Sequence, residues 1–135
     1  MRKVLLLLDS RGMGGMETHV EHLAVALCQA GHHARVVFLQ RHNRHPLEQR
    51  LLTGNVPVRY LPENPLDISR VLQQEGPGVL HTHGYKAGVL GRLAARLHGI
   101  PVVSTFHASE PGSVPPHLTV DDLKSVDSGN FFAYL

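Results

Sequence analysis

Apolar residues fall along this chain in two alternating rhythms. Short unbroken runs such as Val4-Leu5-Leu6-Leu7-Leu8 are separated by longer stretches in which apolar residues recur every three or four positions. Runs of the first kind fit strands buried on both faces, and stretches of the second kind fit helices with one apolar stripe. The pattern predicts strands over residues 3–8, 34–39, 56–61, 78–81 and 101–105. Between them it predicts helices over 16–30, from Pro46, over 66–74 and over 85–98. In the first helix Met16, Val20, Leu23, Leu27 and Ala30 make the stripe, and Gly31 stands where a C′ glycine ends a helix. Pro46 suits a first helical turn, Pro57 places the third strand at a sheet edge, Gly76-Pro77 stops the third helix, and Gly99 closes the fourth. Strand alternating with helix at this spacing predicts an α/β fold built from right-handed βαβ units. The expected architecture is a Rossmann-like parallel sheet in order 3-2-1-4-5 with helices on both faces. It occupies residues 1–112. Residues 113–135, with Pro115-Pro116, Asp121-Asp122 and Asp127-Ser128-Gly129-Asn130, show no periodic apolar face and are expected to be an irregular, poorly ordered tail.

Composition narrows the function classes. A chain of 135 residues with 42% hydrophobic content can bury one domain core. Thirteen basic against eleven acidic residues leave a formal charge of +2, not the basic stripe of a nucleic-acid binder. Eleven histidines add charge only below neutral pH. The single cysteine, Cys28, allows no internal disulfide, fits a reducing compartment and reads as a small packed hydrophobe. Arg2-Lys3 ahead of an apolar run resembles a signal peptide, but Asp9 ends the run after five residues, short of the roughly 7–15 that an h-region needs. No stretch is long enough to span a bilayer, so a cytoplasmic location is expected.

The candidate chemistry gathers at two strand-to-helix junctions. One runs from Leu8 through Asp9-Ser10-Arg11-Gly12-Met13-Gly14-Gly15 into the first helix; the other runs from Leu80 through His81-Thr82-His83-Gly84 into the fourth. A small-residue loop opening a helix presents backbone N–H groups to an anion, above all a phosphate. Two such loops at the carboxyl ends of parallel strands predict one shared cleft. Gly12-Met13-Gly14-Gly15-Met16-Glu17 nearly matches the dinucleotide fingerprint, but Glu17 occupies the third glycine position and Leu39-Gln40-Arg41 offers no acid after the second strand. NAD is thereby disfavoured; an NADP-binding oxidoreductase domain, reading the phosphate with Arg41 or Arg44, stays as an alternative, as does a non-catalytic anion- or nucleotide-binding module. Gly14 and Gly15 let a ligand approach the backbone, while Glu17 either complements the helix dipole or contacts the ligand.

Gly14-Gly15-Met16-Glu17-Thr18-His19-Val20, then His81-Thr82-His83-Gly84-Tyr85-Lys86-Ala87-Gly88, then Gly99-Ile100-Pro101-Val102-Val103-Ser104-Thr105-Phe106-His107 follow in order on the expected elements. Together they resemble the start of the family 4 glycosyltransferases, over roughly residues 1–112. The resemblance implies one half of a GT-B architecture, in which two Rossmann-like domains face a cleft. The N-terminal half holds the acceptor and the C-terminal half holds a nucleotide-sugar donor. It implies hexosyl transfer to an acceptor hydroxyl, on a glycan or a lipid-linked molecule, with retention and with no bound metal or other cofactor. It places His107 in the cleft as the catalytic candidate, where an imidazole can bond a sugar hydroxyl or a donor oxygen. His83 and Lys86 follow as donor- or acceptor-binding candidates, with Glu110 on the acceptor side. No Glu-x₇-Glu motif or second Rossmann domain is present in these 135 residues, so this chain alone is expected to be a truncated N-terminal domain, inactive without its donor half.

Other constellations are weaker. His81 and His83 share a strand face, and one of them is expected to be packed. His19-Val20-Glu21-His22 is no zinc-protease motif, and both histidines are expected to be solvated. Ser10 and Ser104 lack a triad context. Gly88, Gly91 and Ala95 predict close packing of the fourth helix, and Arg92 with Arg96 forms a short basic stripe that leaves room for peripheral contact with a membrane.

Overall fold

Val4 to Leu8 are all buried, and they form the centre of the sheet. The computed structural model describes residues 2–42, 44–61, 67–106 and 131–134. Strand β1 (Lys3–Leu8) lies between β2 (His33–Phe38) and β4 (Val79–His83), parallel to both. Strand β3 (Val58–Tyr60) pairs outside β2, and β5 (Val102–Phe106) pairs outside β4. The five strands thus stand in the expected order 3-2-1-4-5, all parallel.

The core divides by the strand period of two. Val4, Leu6 and Leu8 join Val36 and Phe38 beneath α1 (Gly15–Gln29) and α2 (Pro46–Thr53), which contribute Met16, Val20, Ala24, Leu47 and Leu51. Leu5 and Leu7 join Val37 and Leu80 beneath α3 (Asp67–Glu75) and α4 (Tyr85–Leu97), which contribute Ile68, Val71, Leu72, Ala87, Ala94 and Ala95. Helices on both faces explain why β1 needs no polar positions. Helix α4 sits tight against the sheet: a Cβ on Gly91 would stand 2.7 Å from Thr82 Cγ2 and 3.0 Å from Leu7 Cδ2, and one on Gly88 would stand 3.1 Å from Phe106 Cζ. Among the described residues no helix is long and apolar enough to cross a membrane.

The structure corrects two expectations. Strand β4 continues to His83 instead of ending at His81, because Leu8 and His83 are still in register and Thr82 Oγ1 donates to Ser104 Oγ at 2.7 Å. Residues Phe131–Tyr134, expected within an irregular tail, form a sixth strand, β6, parallel to β5. Three aromatic residues in four carry high strand propensity, and the exposed edge of β5 supplies the backbone partner.

Candidate functional site

The register that pairs Leu8 with His83 brings the two junctions side by side at the carboxyl edge of the sheet. Ionic and ring contacts bridge them. Asp9, just past β1, takes a 2.8 Å hydrogen bond from His42 Nε2 and lies 3.7 Å from Lys86 Nζ in the first turn of α4. Lys86 also reaches Gln40 Oε1 at 3.4 Å and remains 54% exposed, so it can turn toward a ligand. The His19 ring on α1 lies 5.6 Å from that of His83, which lies 4.1 Å from that of His81. His81 Nε2 is 2.7 Å from Thr105 Oγ1 on β5. Three elements, α1, β4 and β5, therefore converge on a row of imidazoles.

The two helix ends differ electrically. Helix α1 is capped by Gly14 in extended backbone, and Thr18 N–H donates to Gly14 O at 3.0 Å. Its first turn carries Glu17, which is buried. Helix α4 has no acidic residue in its first turn, carries Lys86 there, and is capped by Gly84 at φ 88°, a backbone angle that favours glycine. The unpaired first-turn N–H groups of a helix favour negative charge. A carboxylate already meets that need at α1, whereas α4 offers its N-terminus and an ammonium group together.

Behind the α1 loop lies a polar chain that sequence reasoning missed. Ser10 Oγ lies 2.6 Å from Glu17 Oε2 and 2.7 Å from His45 Nε2, and all three residues are buried. His45 Nδ1 caps α2 by accepting from Leu47 N–H at 3.0 Å. Burial holds the His45 imidazole below its ordinary pKa; nearby Glu17 and Glu48 pull it upward and His42 pushes it down. The only sequence signal was its place before Pro46, and histidine is not a preferred N-cap residue. Beside it, Arg41 lies 3.8 Å above the Tyr60 ring, and Tyr60 stacks on Phe38 and donates to Glu48 Oε2 at 2.9 Å. Burial first, and then that hydrogen bond, push the Tyr60 phenol up to about 12. Arg41 also meets Glu48 at 3.8 Å.

Of the residues singled out from sequence, Gly14 and Gly15 are exposed at the loop, Glu17 is buried, and Lys86 is exposed in the first turn of α4. His83 is wholly buried within the row of rings, and His81 is the half-buried member. His19, expected to be solvated, is half-buried against His83, while His22 is exposed. His107 and Glu110 lie outside the described residues. Among the described residues no group of three or more His, Cys, Asp or Glu side chains suits a metal ion.

The sequence profile of Glycosyltransferase Family 4 matches residues 13–128. A D-inositol 3-phosphate glycosyltransferase of Acidothermus cellulolyticus is 31% identical over 113 residues, covering 70% of this chain and 25% of that protein. The UDP-Gal:alpha-D-GlcNAc-diphosphoundecaprenol alpha-1,3-galactosyltransferase of Escherichia coli is 46% identical over 43 residues, covering 31% of this chain and 11% of that protein. Among solved structures, Anabaena HepE in complex with UDP superposes with a TM-score of 0.67 at 22% identity, covering 90% of this chain and 33% of that one. MurG of Acinetobacter baumannii superposes at 0.63 and 19% identity, covering 78% of this chain and 35% of that one. The structural likenesses speak to fold. The chain spans about a quarter or less of the length of these two curated relatives.

Proposed function

This chain belongs to glycosyltransferase family 4, and from that premise we propose that it forms the acceptor-side wall of a GT-B cleft and binds an acceptor that carries phosphate. The observation that carries the reading is the junction pair: an α4 N-terminus free of first-turn acid, with Lys86 in its first turn, opening from the strand end that lies in register beside the end of β1, where the Gly14-Gly15 loop departs. Both relatives named above act, by name, on acceptors with a phosphate or diphosphate group. Lys86 and the α4 N–H groups would take that phosphate. The Gly14-Gly15 backbone would lie against the donor, and His107 and Glu110 would contact the reacting sugars. His83, enclosed between His19 and His81, would shape this wall, leaving direct contact to exposed groups. The rest of the proposal is hexosyl transfer with retention and without metal, inactivity of the chain without a donor-binding partner domain, and a cytoplasmic location. Leaving-group charge would be stabilised by backbone N–H groups and basic residues. Peripheral membrane contact belongs to the same reading: Val89, Leu93 and Leu97 are exposed along α4, beside Arg96.

The test is an NMR titration of the 135-residue chain with inositol 3-phosphate and, separately, with UDP-glucose. The expected result is saturable shifts at Gly84–Ala87 and Gly14–Gly15 for the phosphorylated acceptor, with weaker shifts for the nucleotide sugar. Stronger binding of the nucleotide sugar, or shifts confined to the opposite edge of the sheet, would reject an acceptor-side role.

A further inference from the structure

The Ser10–Glu17–His45 cluster has the composition of a hydrolytic triad and the wrong polarity for one. The lone pair of His45 Nδ1 is engaged by Leu47 N–H at 3.0 Å, so in the neutral ring the proton belongs to Nε2. Nε2–H therefore donates to Ser10 Oγ. The Ser10 proton has two acceptors in reach, Glu17 Oε2 at 2.6 Å and Gly12 O at 3.1 Å. The carboxylate is nearer, and its charge makes the stronger bond. The histidine thus has no lone pair facing the hydroxyl and cannot act as its base. The chain runs one way, from imidazole to hydroxyl to carboxylate. Its far end lies beside the loop: Glu17 Oε1 stands 3.2 Å from the position a Cβ would take on Gly14, the N-cap of α1.

We propose that His45 is a positioning residue for the cleft, holding Ser10 so that Ser10 holds Glu17, and Glu17 in turn fixes the Gly14-Gly15 loop at the start of α1. The functional weight of this rests on the reading of that loop as a cleft wall. The same ring caps α2, so one imidazole joins the starts of two helices that residues Ala30–His45 separate in sequence. The two ring nitrogens divide the work, with Nδ1 serving α2 and Nε2 serving α1. The charged and titratable groups facing the ring are Glu17 from α1, Glu48 from α2 and His42 from the loop after β2.

Two near-isosteres separate these two roles. In His45→Asn, Oδ1 replaces Nδ1 and keeps the cap, while nothing reaches Ser10. In His45→Gln, the amide reaches Ser10 and the cap is lost. The reporters are the Thr18 amide, bonded to Gly14 O, and the Leu47 amide, bonded to His45 Nδ1. In the 135-residue chain, His45→Asn and Ser10→Ala should each speed Thr18 hydrogen exchange by about fivefold or more and leave Leu47 unchanged. His45→Gln should do the reverse. Two-bond ¹⁵N–¹H spectra of the unmodified chain should show Nε2–H, which decides the polarity even where a variant fails to fold. Protonation at Nδ1, or Thr18 and Leu47 responding together in these variants, would overturn the proposal. No ligand enters these measurements, so a loop that binds nothing would reject the functional reading and leave this result standing.

Discussion

The two edges of the sheet each bury a carboxylate, and they treat it in opposite ways. At the amino edge, Glu75 at the end of α3 collects cations from three strands: Lys3 of β1 at 2.8 Å, Arg35 of β2, and Arg59 of β3 at 3.6 Å. Lys3 also donates to the Glu75 carbonyl oxygen at 2.7 Å, and Arg59 to Gln74 Oε1 at 3.1 Å. At the carboxyl edge, Glu17 is held by a neutral hydroxyl, and the nearby Asp9 shares its charge with a histidine and a mostly exposed lysine. The first edge is a saturated clasp that fastens α3 to the sheet. The second keeps its cationic group half in solvent and its glycines open. The difference separates a carboxylate that holds the fold from one that shapes a surface for a ligand.

Breaking the clasp should have the largest effect. Glu75→Ala leaves three cations facing one another and should cost about 2–3 kcal/mol in urea denaturation, less than a fully buried pair because each cation is about one-third exposed. The same variant should leave Thr18 exchange near its original value relative to global stability. A matching loss at Thr18 would mean that the two edges are one cooperative unit.

Acid should then dissect the edges in order. Burial raises the Glu75 pKa, but the Lys3 hydrogen bond and the charges of Arg35 and Lys3 outweigh it, and the net shift is downward. The His45 pKa is also lowered, chiefly by burial. In both cases the unfolded chain binds the proton more tightly, so stability is present above the unfolded pKa and falls as pH drops through the folded one. The His45 contribution should decline first, below about pH 6.5. The Glu75 contribution should follow below the ordinary carboxylate value of 4.5. Stability measured from pH 8 to pH 3 should lose its upper stage in His45→Asn and its lower stage in Glu75→Gln. An unchanged profile in either variant would assign that stage to another group.

The smallest effect on stability should come from Lys86→Ala. Its pairing with Asp9 is long and exposed, worth about 0–0.5 kcal/mol. Inositol 3-phosphate binding should nevertheless weaken about tenfold or more, since the charge-assisted contact to phosphate is lost. Equal binding by this variant would move the anion site away from α4.

Much of this was legible in the sequence where the physics is local. Five strands and their order follow from runs such as Val4–Leu8 alternating with helical stripes, and the two cleft-forming junctions follow from Gly14-Gly15 and His83-Gly84. Gly91 signalled the tight seat of α4. Strand β6 had no such signal, because Phe131–Tyr134 is only four residues long and follows a segment rich in Asp, Ser and Gly. The Ser10–His45 contact was equally hidden, since it joins residues 35 positions apart through the pairing of β1 with β2. Nothing local in the sequence singled out Glu75, because its three partners come from three separate strands.

Strand β1 carries one more consequence. Five aliphatic side chains in a row contain no phase information. Sliding the strand by one residue would exchange the two faces and still present each helix pair with aliphatic side chains, whereas an alternating strand would expose its error at once. A slip would instead displace the ends, drawing Lys3 away from Glu75 and Asp9 away from His42 and Lys86. The strand is therefore indexed from its termini: the interior supplies adhesion without alignment, and the charged residues at either end supply the alignment.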